Sequence, residues 1–167
     1  SIAAAGILSG ARTLTGALIP LKGAAPTNVN FVSGDYSRAT GLVGNASNKY
    51  LNLNRLDTAE TLDDAHMSVY ITEENTSLAI AYLGADSGSG VTAIGRYHAG
   101  GGENTQFQNV SPWYPAPYTP ASGFLGYNRD SGTVNVILNG ATNSLVQAAT
   151  GQAGINYFLF TKNINGT

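Results

Sequence analysis

The chain has no cysteine, a single methionine and a single tryptophan, and charged side chains make up only 11% of its 167 residues. Without thiols there can be no disulfide, thiolate nucleophile or cysteine-based zinc site, so stability must come from packing, hydrogen bonds or oligomerisation. Charge is sparse and nearly balanced, with a formal net of -2 and a pI near 5.5. The few Lys and Arg are scattered, so no basic patch exists to displace counterions from a polyanion, and nucleic acid is not expected as a partner. Long apolar runs are missing too. The opening SIAAAGILSGARTLTGALIPLKGAAP is rich in small apolar residues, but Arg12 and repeated Gly and Thr interrupt it before it could span a bilayer. It lacks the basic start of a signal peptide. No membrane insertion is expected, and the Ser1 start reads as a processed or partial chain. Residues 1–27 read as an N-terminal arm or first strand that docks on the core or on a neighbour.

What is present is Gly, Asn, Ser and Thr between short apolar runs, a mixture that suits strands and polar turns rather than long helices. One domain of ordinary size is expected. In GLVGNASNKYLNLNR, at 41 to 55, GNASN reads as the turn that feeds a strand whose Leu51 and Leu53 share one face. HMSVYIT alternates Met67, Val69 and Ile71 with Ser68, Tyr70 and Thr72, and with EENTS and SLAIAYLGA it is expected to form a hairpin. VTAIGRYHA and a shorter run around Phe107 follow, joined by a glycine-rich turn. GFLGYNR, TVNVIL and ATNSLV read as a three-stranded meander, with Val134, Val136 and Leu138 on one face and Asn139-Gly140 in a two-residue turn. INYFLFTKN is a further strand with Phe158 and Phe160 inward. Strands at this spacing, without a repeat or a helical period, predict an all-β sandwich of two antiparallel sheets.

Chemistry-bearing clusters are few. Asp57, Glu60, Asp63 and Asp64, then Glu73 and Glu74, fall in a connection and a turn, and read as solvated loop rather than as the paired carboxylates of a glycosidase. Asp63, Asp64 and His66 supply too few ligands for calcium, so neither a metal nor a cofactor is expected. His98 has no partner in sequence. HAGGGEN at 98 to 104 lacks the Lys-Ser/Thr ending of a phosphate loop and reads as a hairpin turn. No GxSxG elbow is present. Four Asn-X-Ser/Thr triplets, at Asn45, Asn75, Asn109 and Asn165, are what an Asn- and Ser-rich chain gives by chance. SPWYPAPYTP, at 111 to 120, holds Trp113, Tyr114 and Tyr118 between stiffening prolines. Rigid aromatics of this kind suit a sugar ring, a protein neighbour or packing over the end of the sandwich.

Three segments together resemble a group of bacteriophage virion proteins with a concanavalin A-like lectin/glucanase domain, related in fold to laminin G-like modules. They are NFVSGDYSRATGLVGNASNKYLNLNR, HMSVYITE with the strand after it, and GFLGYNRDSGTVNVILNGATNSL through NYFLFTKNING. The most specific pieces are GLVGN...KYL and the order GFLGYNR...NG...F.F.KN, and the resemblance covers most of the chain. It implies a jelly-roll-like sandwich over 28–167 and a non-enzymatic structural place on the surface of a virion, in a fibre, a tail or a head decoration. It also implies partners that are copies of the chain, other virion proteins and, through the end loops, host-surface glycans. Two readings outside this class are a stand-alone lectin module and a glycoside hydrolase or lyase with dispersed catalytic residues. The two-glutamate strand of glucanases and the ligand pattern of legume lectins are both unmatched. In such folds a closing strand returns beside the first, whereas this sequence stops at Asn165-Gly166-Thr167 after FLF, which makes strand exchange between subunits an expectation. Ile7, Leu8, Leu14 and Leu18 of the arm are then the expected assembly contacts.

Overall fold

Alternation sets which face of each strand turns inward, and the computed structural model, which describes residues 2–45, 47–73, 80–96, 103–109, 114–115 and 122–164, arranges those faces into two stacked sheets. In chain order the strands are β1 (Thr27–Val29), β2 (Tyr36–Ser37), β3 (Gly41–Leu42), β4 (Tyr50–Leu56), β5 (Asp64–Ile71), β6 (Ile80–Asp86) and β7 (Val91–Arg96). They continue as β8 (Glu103–Asn109), β9 (Tyr114–Pro115), β10 (Gly123–Asp130), β11 (Thr133–Leu138), β12 (Ala141–Val146), β13 (Asn156–Leu159) and β14 (Lys162–Ile164). The larger sheet runs β1-β4-β13-β6-β7-β8-β9, with β14 also on β6; the smaller runs β12-β11-β10-β5; β2 and β3 pair by themselves. Apart from the parallel β14 and β6 pair, every ladder is antiparallel. The fold is an all-β sandwich.

The main core lies between the two sheets. Met67 of β5, Leu125 and Tyr127 of β10, and Val134, Val136 and Leu138 of β11 face Leu83 of β6, Ile94 of β7 and Tyr157 of β13. Strict alternation along β11 buries Val134, Val136 and Leu138 and leaves the residues between them half-buried. The turn after it has positive φ at both Asn139 (47°) and Gly140 (88°), the geometry a two-residue hairpin requires. Asn139 does more than turn the chain: its side-chain oxygen accepts from the Phe124 N–H at 2.8 Å and its amide donates to the Ser122 carbonyl at 3.1 Å, which pins the start of β10.

Two expectations change. HMSVYIT and the strand after it do not form a hairpin: β5 pairs with β10 in the small sheet, while β6 pairs with β7 and β13 in the large one. Alternation fixes a strand's face but not its neighbour, and a polar link serves an arch between sheets as well as a hairpin. Neither phenylalanine of FLF joins the main core, which takes Tyr157 from β13: Phe158 is buried with its ring stacked on Tyr50 at 4.4 Å, and Phe160, past the end of β13 with φ 73°, meets Phe31 edge-on at 5.1 Å. The segment before β1 is an arm and not a strand. It carries an isolated antiparallel bridge, Ala5 to Lys22, and one helical turn, α1 (Leu14–Ala17), capped by Thr13, whose hydroxyl oxygen accepts from the Gly16 N–H at 3.1 Å.

GNASN is the turn into β4. The Asn45 side-chain oxygen accepts from the N–H groups of Ser47, Asn48 and Lys49, each at 3.1 Å, so the amide folds the backbone around itself. Gly44 lies under the Phe160 ring, where an added Cβ would come within 3.0 Å of it. Just beside this turn, Lys49 bridges Asp35 at 2.5 Å, and that contact, with the Val32 N–H, holds the Asp35 carboxyl below its ordinary value of 3.8.

Candidate functional site

The arm forms a lobe on the large sheet. Leu14 is buried with Phe31, Leu42 and Leu51, and Leu8 and Leu18 pack against that second core. Polar ties hold the lobe in place. The Gly10 N–H donates to the Arg38 carbonyl at 2.8 Å, Arg38 Nε donates to the Gly10 carbonyl at 3.0 Å, and the Tyr36 hydroxyl donates to the Ala11 carbonyl at 2.8 Å. Of the four aliphatics expected as assembly contacts, Leu8, Leu14 and Leu18 therefore serve the chain's own core, and Ile7 stays exposed.

The lobe turns other aliphatics to solvent. Ile2, Ile7, Ile19 and Leu21 on the arm, and Val32 and Val43 on the loops it is tied to, are exposed, with Ile19 at 68% and Leu21 at 70%. Val32 and Val43 are neighbours through Asp35, which accepts from the Val32 N–H with its side chain and from the Val43 N–H with its carbonyl. The Ala5 to Lys22 bridge, with the Leu21 N–H on the Ala5 carbonyl at 2.9 Å, fixes Leu21 against the start of the arm. Between the arm and β4 lies an open cleft of about 310 Å³, lined by Ala3, Ala4, Ala24, Leu53 and Arg55 among others. This concentration of bare aliphatics distinguishes the lobe chemically, because large exposed apolar groups gathered in one region mark contact surfaces.

A second convergence of side chains is internal. Asp57 is not in a solvated loop: it is fully buried, its two oxygens accepting from the Ala153 N–H at 2.5 Å and the Gly154 N–H at 2.7 Å. Gln152 closes the same knot, donating to the carbonyls of Asp57 at 2.9 Å and Glu60 at 3.1 Å. The Asp63 side chain accepts from the Ala149 N–H at 3.2 Å and lies 3.6 Å from Arg129, whose guanidinium donates to the Gln147 carbonyl at 2.6 Å. The carboxylates of the acidic connection thus fasten the segment from 147 to 155, which carries the chain from β12 in one sheet to β13 in the other. Glu60 bridges Arg55 at 2.8 Å. Burial, followed by the negative charges of Asp57 and Glu60, pushes the Tyr157 hydroxyl far above its ordinary range and keeps it protonated. Burial lowers the Arg129 guanidinium and Asp63 works against that shift. Arg129 escaped sequence reasoning, although it falls on the same parity as the buried Leu125 and Tyr127.

The remaining candidates are dispersed. His66 is exposed on β5 with its ring 3.2 Å from the Ser68 hydroxyl, and no group of three His, Cys, Asp or Glu able to hold a metal exists among the described residues. In the aromatic segment, Trp113 and Tyr118 lie outside the described residues, and Tyr114 is placed only as a backbone pair of Thr105 in β9. Glu74, His98 and most of HAGGGEN are outside them as well. The outer face of the small sheet is described in full. Register sets Tyr70, 70% exposed, beside Phe124, and lines up His66, Asn128, Asn135 and Ser144 across its four strands.

No family model matches the chain, and neither any curated protein nor any solved structure does.

Proposed function

We propose that the chain is a non-enzymatic structural protein of a bacteriophage particle, a concanavalin A-like sandwich displayed on the virion surface and assembled with copies of itself and other virion proteins. The observation that carries the assembly part is the set of six exposed aliphatics on the N-terminal lobe and the loops it is tied to. The phage part rests on the resemblance of GLVGN...KYL and GFLGYNR...NG...F.F.KN. In this reading the buried half of the arm anchors the lobe to the sheet and its bare half meets the neighbour.

Replacing Ile19 and Leu21 together by Asp tests it. Both side chains are largely in water, so the monomer's stability should change little, whereas burying two carboxylates in place of two aliphatics at an interface should weaken association by at least ~100-fold. Sedimentation velocity at rising protein concentration measures the difference. A wild-type chain that stays monomeric at high concentration, or a double variant that assembles like wild type, overturns the assembly reading. The virion reading fails separately if mass spectrometry finds no trace of the chain in phage particles banded from the source culture.

The outer face of the small sheet favours a second reading, a carbohydrate-binding lectin module. An exposed tyrosine and, four residues away along the same strand, a row of amides and hydroxyls offer a stacking plane and neutral hydrogen bonds on one face, the two things a sugar ligand uses. In that case a glycan array should show saturable binding that Tyr70→Ala reduces at least tenfold. Binding untouched by the substitution removes this face from consideration.

A further inference from the structure

We propose that β12 is a homodimerisation edge, joining two copies of the small sheet into one continuous eight-stranded sheet about a two-fold axis at Ser144. This inference concerns a different surface from the N-terminal lobe and does not depend on it.

Among the described residues β12 pairs with β11 alone, so its other side presents free backbone groups. Monomeric proteins blunt such edges with lysine, proline, bulges or inward charges. β12 has none of these. Its sequence ATNSLV is uncharged, its ladder to β11 runs from Ala141 to Val146 without a register shift, and Val146 is 90% exposed. The opposite edge of the same sheet is guarded by contrast: β5 begins at Asp64, placed directly beside Asp130, and carries His66.

Backbone geometry selects one register. The Gln147 N–H donates to the Gly132 carbonyl at 2.7 Å, so the odd-numbered residues of β12 direct their amides toward β11. Successive residues in a strand point their backbone groups to opposite sides, so the N–H and C=O of Thr142, Ser144 and Val146 face outward. Two antiparallel copies can use all of these groups only if Ser144 meets Ser144 of the second copy, with Thr142 opposite Val146 on either side. That register also keeps the layers of the sandwich matched. Leu145 and Asn143, the half-buried residues of β12, stay on the inner face in both copies, and Thr142, Ser144 and Val146 stay on the outer one. Val146 then packs beside a threonine methyl instead of standing in water. An uncharged strand meeting itself brings no like charges together, which is the condition an isologous pairing has to satisfy.

The test is made in the Ile19→Asp, Leu21→Asp background, so that association through the lobe cannot be mistaken for pairing through β12. That protein should be a dimer in sedimentation equilibrium, and amide exchange at Thr142, Ser144 and Val146 should slow as its concentration rises. Adding Thr142→Lys with Val146→Lys puts lysines directly opposite each other twice across the two-fold and should weaken the dimer at least tenfold. Thr142→Glu with Val146→Lys puts opposite charges at the same two places and should restore it. Both side chains are exposed in the monomer, so the far-ultraviolet spectrum should stay unchanged. A monomer in the lobe-variant background, an unaltered dimer in the double-lysine protein, or filaments in place of a closed dimer would each overturn the proposal.

Discussion

Asp57→Ala should be among the most destabilising single substitutions in this protein, lowering the free energy of unfolding by about 3–5 kcal/mol. The carboxylate is fully buried and accepts two backbone N–H bonds, from Ala153 and Gly154. Truncation removes two charge-assisted bonds and leaves two buried donors without partners, each costing about 1–3 kcal/mol when a donor cannot reach water. Asp57→Asn separates these terms. It keeps the shape but offers a single acceptor oxygen and turns an amide donor toward the second N–H, so its cost should fall between that of wild type and that of alanine. Urea unfolding followed by circular dichroism measures all three proteins. A loss below about 1 kcal/mol for alanine would mean that the segment from 147 to 155 is held by packing and that the knot around Asp57 is incidental.

The sequence made Asp57 look ordinary for a physical reason. DTAE reads as a polar turn, and the donors that bury its carboxylate come from residues 96 and 97 positions further along the chain. No local pattern marks a carboxylate whose partners are backbone amides, since every residue but proline supplies one. What could be read were features set by neighbouring residues: the inward parity of Val134, Val136 and Leu138, the Asn139-Gly140 turn, and the all-β class that follows from many short strands. Strand pairing was legible where a short turn joins neighbours, as in the meander of β10, β11 and β12, but not across a longer polar link: β5 and β6 were expected side by side and lie in opposite sheets. The arm shows a similar split. Its apolar content was plain, but only the fold decides that Leu14 goes under Phe31 and Leu42 while Ile19 and Leu21 stay in water. Arg129 left a legible trace, the parity it shares with Leu125 and Tyr127, but an arginine near a strand end is ordinarily solvated. Its burial depends on the Gln147 carbonyl and on Asp63, both distant in sequence.

Gly90→Ala should be comparably severe, at about 3 kcal/mol or more, and its effect should depend on Asp57. A Cβ built on Gly90, at the turn between β6 and β7, would come within 2.3 Å of the Gln152 carbonyl oxygen and 2.4 Å of its carbon. Those are backbone atoms, so no side-chain rotation relieves the overlap, and one of the two chain segments has to move. The segment around Gln152 resists, because its side chain is bound to the Asp57 and Glu60 carbonyls and the next two amides are bound to the Asp57 carboxylate. Moving it by the ångström or more that a methyl group needs would stretch those bonds beyond useful length. Residues that share one hydrogen-bonded network couple in double-mutant cycles by about 0.5–3 kcal/mol, and here the sign can be stated in advance. Once Asp57→Ala has released the segment, the added methyl has room to push it aside, so the double variant should be more stable than the sum of the two single losses predicts. Additivity within about 0.5 kcal/mol would show that the segment is rigid without Asp57, and that the acidic connection fastens nothing that the core does not already hold.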